Sequence, residues 1–448
     1  MKYNEFKTLV IAEAQRLGLS DYELYYSESN STSVVIFQHE IKDFDSSVGG
    51  GVSFRCLKDG RMGYASTEDL SAQEALRIVR AALDNAAVLE TVEQEFLGEG
   101  GKSYQPTTQK EIALPSAEAL TKKALEAQEA LYAADSLVID GSATELVAMQ
   151  NTLAIANSRG LDLFHENKAV VLFSSAVVSD GKEMNNSYEI AFGALEELDL
   201  EKTARTAVSD AKSQLGADVA PTGAYPVVFA PKAMTGLLQA FSGVFSAENA
   251  RKGLSRLRDR EGERIAAEVF TLIDDPFYAE NPAQMPFDAE GTPSFTKAII
   301  EQGEFKTLLH NLKSAAAMDK QSTGNASKSS YSAPVGVSPF TLRVAPGTMS
   351  EEELLQKAGN GVYIDFLGGL HAGADPISGD FSLQSAGFMI ENGQKTRAVK
   401  SFTVAGNFYD LLQGVAAVAD NVKFISFGSP TAFASPSVLV EGLSLAGK

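Results

Sequence analysis

Four histidines, a single cysteine and a scatter of carboxylates are what this 448-residue chain offers to a metal ion. A catalytic zinc site needs several His, Cys or carboxylate ligands in fixed geometry. His39, His165, His310 and His371 lie far apart, and no two of them share the short helical spacing that points two imidazoles at one ion. His39-Glu40 and His165-Glu166 read as strand residues. Neighbours on a strand face opposite ways, so neither pair can chelate. The sequence therefore shows no recognisable zinc site of its own. Cys56 sits beside Arg55 in an alternating strand. The cation would favour a thiolate, but alternation aims it away, which leaves a buried structural cysteine. There is no Gly-x-Ser-x-Gly elbow, and Gly49-Gly50-Gly51 is not followed by the Gly-Lys-Ser/Thr of a phosphate loop. That triplet reads as a bend or bulge. One block does invite a binding role, the glycine-rich run from Leu367 to Gly393. Turns with positive φ and close backbone approach can hold an extended peptide through main-chain hydrogen bonds. Gly369, His371, Gly379, Asp380 and Ser382 are the candidates to line such a site. The same run also reads as tight hairpins with no ligand.

The elements that would position these residues follow from periodicity. Asn4 caps a helix whose apolar positions run from Phe6 to Leu17, and Gly18 ends it. Glu23–Ser27 and Ser33–Phe37 read as short strands around an Asn30-Ser31 turn. A strand over Val52–Leu57 enters the hairpin turn Lys58-Asp59-Gly60-Arg61. Helices follow over about 71–89 and 116–134, with loop near 94–115. A β-meander comes next: Glu145–Gln150, Thr152–Asn157, Leu161–Glu166, Ala169–Val178 and Ser187–Gly193, then a helix over about 199–215. Gly216 to Gly223 reads as a linker. Tyr225–Phe229 is a strand, and Pro231 opens a helix at its first position. From about 265 onward, short strands and glycine-rich connections suggest antiparallel sheet. Helices and strands come in runs rather than in strict alternation. The fold class is α+β, in two domains: an N-terminal domain, 1–218, of mixed helices and antiparallel sheet, and a β-rich C-terminal domain, 219–448.

Composition limits the partners. The net charge is −20, which repels phosphate backbones and argues against direct nucleic-acid binding. The cation-rich segment Arg251–Arg264 also holds Asp259, Glu261 and Glu263, and reads as a solvated face. No long apolar run indicates a membrane span. The start, Met1-Lys2-Tyr3-Asn4-Glu5, lacks a secretory pattern, and one cysteine fits a reducing compartment, so a cytoplasmic location is expected.

Taken in order, several short motifs resemble the TldD/PmbA family, also labelled "modulator of DNA gyrase". They are Phe54-Arg55 with Asp59–Ala65, Asn157-Ser158-Arg159-Gly160, Ile273-Asp274-Asp275-Pro276, Ser322–Ala326, the Leu367–Gly393 block, Val404–Leu412, and the closing Pro436–Val440 with Leu445-Ala446-Gly447. The resemblance implies two subunit types. TldD-type chains carry zinc on a His-Glu-x-x-x-His helix with a later cysteine, and TldE (PmbA)-type chains lack those ligands. Together they are expected to form a cytoplasmic peptidase for unfolded or small peptides. Here the corresponding helix reads Ala247-Glu248-Asn249-Ala250-Arg251-Lys252, so Ala247 and Lys252 stand at the histidine positions and only Glu248 is kept. No cysteine follows Cys56. A carboxylate without an ion has no activated water to deprotonate, and Lys252 repels a cation. The resemblance thus implies a TldE-like subunit with no cofactor of its own, a zinc-bearing TldD-like partner and a peptide substrate. In isolation the chain can be a homodimer.

Two other readings compete. One is a self-sufficient hydrolase built on Glu248 with His371 or Asp380. The other is a non-catalytic peptide-binding or gyrase-modulating protein.

Overall fold

The computed structural model describes residues 1–90, 94–426 and 431–448. The N-terminal half is organised by one six-stranded antiparallel sheet, in the order β3-β2-β1-β4-β5-β6. Its elements are α1 (Tyr3–Arg16), β1 (Asp21–Phe37), β2 (Glu40–Lys58), β3 (Arg61–Thr67), α2 (Ala72–Val88), α3 (Ala117–Ala133), β4 (Ala143–Asn157), β5 (Asp162–Ser179), β6 (Met184–Gly193) and α4 (Leu200–Ser213). The helices form two separate groups along the sheet. Near one end, α1 and α2 close over Tyr22, Leu24, Tyr26, Val52 and Phe54. Near the other, α3 covers Val34, Ile36, Leu146, Val170 and Leu172. Between the two apolar patches the strands carry a polar band. In it Ser31 meets Ser47, Thr32 meets Ser46, and Gln150 donates to Glu166.

Several local expectations are corrected here. β1 is one unbroken strand, not two strands around a turn. Asn30 pairs with Val48 on one side and Gln150 on the other. Ladders on both edges outweigh the local turn preference of Asn-Ser. The segments expected on either side of Asn151 form the single strand β4, and those on either side of Asn167 form the single strand β5. The glycine triplet lies inside β2, and the register shift falls instead between Val35 and Ile36. A side chain at Gly50 would strike the Ser27 carbonyl, which explains glycine there without a bend. His39 is not on a strand; it sits in the β1–β2 turn at φ 63°. The first helix is capped at Lys2 rather than Asn4. The Asp59-Gly60 turn is as expected, with both residues at positive φ.

The C-terminal half begins with β7 (Asp218–Val219), within the stretch expected to be a plain linker, then β8 (Gly223–Phe229), α5 (Pro231–Phe241) and α6 (Ala247–Arg251). It continues through β9 (Leu272–Asp274), β10 (Lys297–Glu301), β11 (Glu304–Phe305), α7 (Leu312–Ala317), β12 (Ala326–Ser327), β13 (Gly336–Val337), β14 (Thr341–Val344) and α8 (Glu351–Ala358). It ends with β15 (Gly361–Gly368), α9 (Leu370–Gly373), β16 (Asp380–Glu391), β17 (Gln394–Asn407), α10 (Phe408–Gln413), β18 (Val415–Val418), β19 (Lys423–Ile425), β20 (Ala432–Ser435) and β21 (Val438–Ala446). The order β18-β21-β8-β15-β16-β17-β7 gains an extra β21–β17 pairing, so β21, β8, β15, β16 and β17 close into a small barrel. Its core holds Val227, Phe229, Val362, Ile364, Leu383, Val404 and Val440, with α5 against it. The sheets here are mixed, not purely antiparallel, because β8–β15, β14–β20 and β17–β7 run parallel. Crossing helices such as α5 make those parallel neighbours possible. The chain is α+β throughout.

Among the described residues no helix is long and apolar enough to cross a membrane.

Candidate functional site

The short helix α6 is started by Ser246, whose hydroxyl accepts from the Asn249 amide. Asn249 in turn donates through its side chain to the Gly243 carbonyl. Ala247 faces inward and is fully buried in the largest core, with its amide held by the Leu309 carbonyl. Glu248 faces a cleft of about 470 Å³, lined also by Ser246, Asn249, Arg251, Lys252, Lys313 and the Pro334–Val337 segment.

Glu248 is engaged within its own helix. Arg251 and Lys252 both reach its Oε1 at 3.0 Å. Partial burial disfavours its charge, but the hydrogen bonds and charges of Arg251 and Lys252 outweigh this and hold the carboxyl below its usual range. A carboxylate kept ionised between two cations is a weak proton acceptor. The donor set does not fit a zinc ion either. Ala247 offers no ligand and points into the core, and Lys252 brings a positive charge to the remaining carboxylate. Among the described residues no group of three or more His, Cys, Asp or Glu side chains is arranged to hold a metal.

The glycine-rich block forms a compact loop and strand start. Gly369 takes a left-handed conformation at φ 74° and opens α9, which leaves His371 exposed. α9 lies against β16, so a side chain at Gly373 would strike the Ser382 carbonyl. Gly379, at φ 81°, leaves room for the ring of Tyr409. Asp380 and Ser382 share the exposed face of β16, while Phe381 and Leu383 enter the barrel core. Asp380 accepts from the Asn407 side chain at 2.8 Å, and this bond and that from Ser378 hold its carboxyl below the usual range.

Glu248 shares no hydrogen bond or ion pair with His371 or Asp380, and is held by Arg251 and Lys252 instead. The connection between the two regions runs through other residues. Arg256, just after α6, stacks over the Tyr409 ring at 5.5 Å, and Tyr409 packs against Gly379. Sequence reasoning passed over Tyr409 and Arg256, and also Lys313 and the Pro334–Val337 wall. The conspicuous Tyr409 within the Val404–Leu412 motif was the one available signal.

The other motif residues do meet, but in structural roles. Asp274, fully buried, accepts from Lys297 at 2.9 Å, from Asn325 at 2.7 Å and from the Phe340 amide at 2.8 Å. Arg55 pairs with Glu23 at 2.7 Å, and Asn157 donates to the same carboxylate. Burial pushes the Cys56 thiol up to about 11, in line with an inert cysteine. His165 donates from Nε2 to the Gln284 carbonyl at 2.8 Å, and His310 lies buried beside Ser314.

Comparisons with known proteins bear directly on this arrangement. The PmbA/TldA metallopeptidase C-terminal domain matches residues 222–447, domain 1 matches 22–86 and the central domain matches 110–215. The chain belongs to the PmbA/TldD family. It is 26% identical to the metalloprotease PmbA of Escherichia coli O157:H7 over 439 residues, 96% of this chain and 93% of that one. It is likewise 26% identical to a metalloprotease of Methanothermobacter thermautotrophicus, over 88% of this chain and 87% of the relative. A Thermotoga maritima structure labelled as a modulator of a DNA gyrase superposes with a TM-score of 0.90 at 31% identity, covering 99% of this chain and all of that one. TldE from Thermococcus kodakarensis shares the fold, with a TM-score of 0.87 at 23% identity over 98% of this chain. This chain is therefore a metallopeptidase-family member, and its short helix α6 carries a lysine–carboxylate pair.

Proposed function

We propose that the chain is the zinc-free, TldE-like subunit of a two-chain metallopeptidase, and that a TldD-like partner carries the zinc and performs the cleavage. The observation that supports this reading is Lys252 Nζ at 3.0 Å from Glu248, on the helix that the family resemblance sets at the position of the metal helix. A cation seated on that carboxylate opposes a second cation there by direct charge repulsion. In this reading the exposed face of the glycine-rich block, with Gly369, His371, Gly379, Asp380 and Ser382, lines the space that receives an extended or unfolded peptide. Main-chain hydrogen bonding would make that reception tolerant of sequence. The peptidase would be cytoplasmic, and the chain would work in the two-domain form 1–218 and 219–448.

The test is reconstitution. The chain and its TldD-like neighbour are purified separately and mixed, and peptide cleavage is followed for each alone and for the pair. Cleavage only by the pair supports the proposal. Full activity of the neighbour alone, or stoichiometric zinc in this chain alone, defeats it.

A further inference from the structure

The cleft beside α6 carries a positive charge that its own carboxylate does not need. The chain as a whole is strongly acidic, with a net charge of −20. Yet among the described residues the cleft is lined by the cations Arg251, Lys252 and Lys313 and by a single carboxylate, Glu248. Arg251 alone can satisfy Glu248. Its Nη2 donates to Oε1 at 3.0 Å and its Nε to Oε2 at 3.3 Å. A guanidinium laid across both oxygens of a carboxylate is the tighter kind of pair. Lys313 is matched by Glu95 at 2.9 Å. Lys252 is the surplus cation. It shares Oε1 as a second partner at 3.0 Å, and its side chain is 55% exposed. An ammonium carries several donors, and this contact occupies only part of them. The same lining includes an apolar wall, the exposed Pro334 with the half-buried Val335 and Val337. At about 470 Å³ the cleft lies within the size range of small-ligand sites.

We propose that this cleft takes the carboxyl terminus of a peptide whose last residue is apolar. Lys252 holds the terminal carboxylate, and Pro334, Val335 and Val337 cover the last side chain. Charge selects the occupant. One surplus cation matches one negative charge, whereas a phosphate group carries nearly two at neutral pH. The wall selects further, because a bare inorganic anion leaves in water the apolar surface that a terminal side chain would cover. Capture of a terminal carboxylate is a general way of reading a peptide end. The acidity of the chain does not forbid it. At physiological salt, charges are screened beyond about 8 Å, while Lys252 acts in direct contact. The same chemistry, a carboxylate bearing a branched apolar group, also belongs to a free organic acid, so the two sources must be separated by experiment. This occupancy rests on the zinc-free reading, since a zinc ion on Glu248 would displace Lys252.

Isothermal titration of the full chain with a short polyalanine peptide ending in valine is the test, with metal analysis of the same preparation. The peptide with a free carboxylate should bind. The same peptide with an amidated end should bind more weakly by roughly tenfold or more, because a charged hydrogen bond is lost. Lys252→Met should weaken the free-ended peptide by roughly tenfold to a hundredfold and leave the amidated one unchanged. Lys252→Arg should restore most of that loss. Glu248→Gln should tighten binding by roughly twofold to threefold, because Lys252 is released from its own carboxylate. Lys252 is exposed, so its variants should keep the melting temperature of the parent chain. Equal affinity for the free and amidated ends overturns the proposal. So does indifference to Lys252→Met, or no heat of binding at about 1 mM peptide. Isovalerate competing as strongly as the peptide, mole for mole, also overturns it, by making a free acid the ligand. Stoichiometric zinc in the preparation defeats the zinc-free reading and this occupancy together, whereas a zinc-free chain that binds neither peptide defeats this occupancy alone.

Discussion

Two of this molecule's carboxylate–guanidinium pairs stand in opposite settings. Glu23 and Arg55 meet on neighbouring strands of the N-terminal sheet, 3% and 5% exposed, under the C-terminal residues Asp288 and Glu290. Glu248 meets Arg251 and Lys252 on a helix of barely more than one turn, at the rim of a cleft, where Lys252 is 55% exposed. The first pair is fixed by two strand registers and a domain's worth of covering structure. The second rests on side chains that water can replace. A charge pair of the first kind locks the architecture. One of the second kind can be changed without altering the fold.

Removing one partner from each pair should separate the two settings most sharply. Glu23→Ala leaves the Arg55 guanidinium buried and uncompensated, and should cost about 3–5 kcal/mol in urea unfolding. Glu248→Ala should cost less than about 1 kcal/mol. Equal costs would erase the contrast.

The pH dependence of stability comes next. Burial, with Asp288 and Glu23 nearby, outweighs the attraction of Arg55 and pushes the Glu290 carboxyl up to about 8, against 4.5 when unfolded. The native state therefore binds a proton that the unfolded chain has lost, so stability present at low pH falls as pH rises between those values. The melting temperature should decline from about pH 5 to about pH 8, and Glu290→Gln should flatten that decline. An unchanged slope in the variant would assign the effect elsewhere. Lys328 acts in the other direction, since burial and Arg55 lower its pKa to about 8, so its penalty fades as pH rises above that value.

The smallest effect concerns activity. In the reconstituted pair, Glu248→Gln should leave cleavage within about threefold, whereas removing a general base typically costs about 10²–10⁴-fold. A loss of that larger size would make Glu248 catalytic.

Much of this was legible in the sequence wherever the signal was local. Asp59-Gly60 makes a turn because both positions need positive φ, and Pro231 starts α5 because a first helical residue needs no N–H to donate. The reading failed where distant chain segments decide. Asn30 and Ser31 prefer turns, yet ladders to Val48 and Gln150 hold them extended. The family resemblance sets Ala247 and Lys252 alike at the histidine positions, but only packing separates them, with Ala247 facing the core and Lys252 the cleft. Lys313 was invisible for the same reason, since it comes to the cleft edge bonded to Glu95, 218 residues away.

The six-stranded sheet has one more consequence. The stretches matched by the first and central family domains each contribute strands to it, and β1 and β4 are joined along nearly their full lengths. Neither stretch can open without stripping the other of a ladder. Modules that look separable along the sequence thus melt as one cooperative unit, and slow amide exchange should extend across β1 and β4 alike.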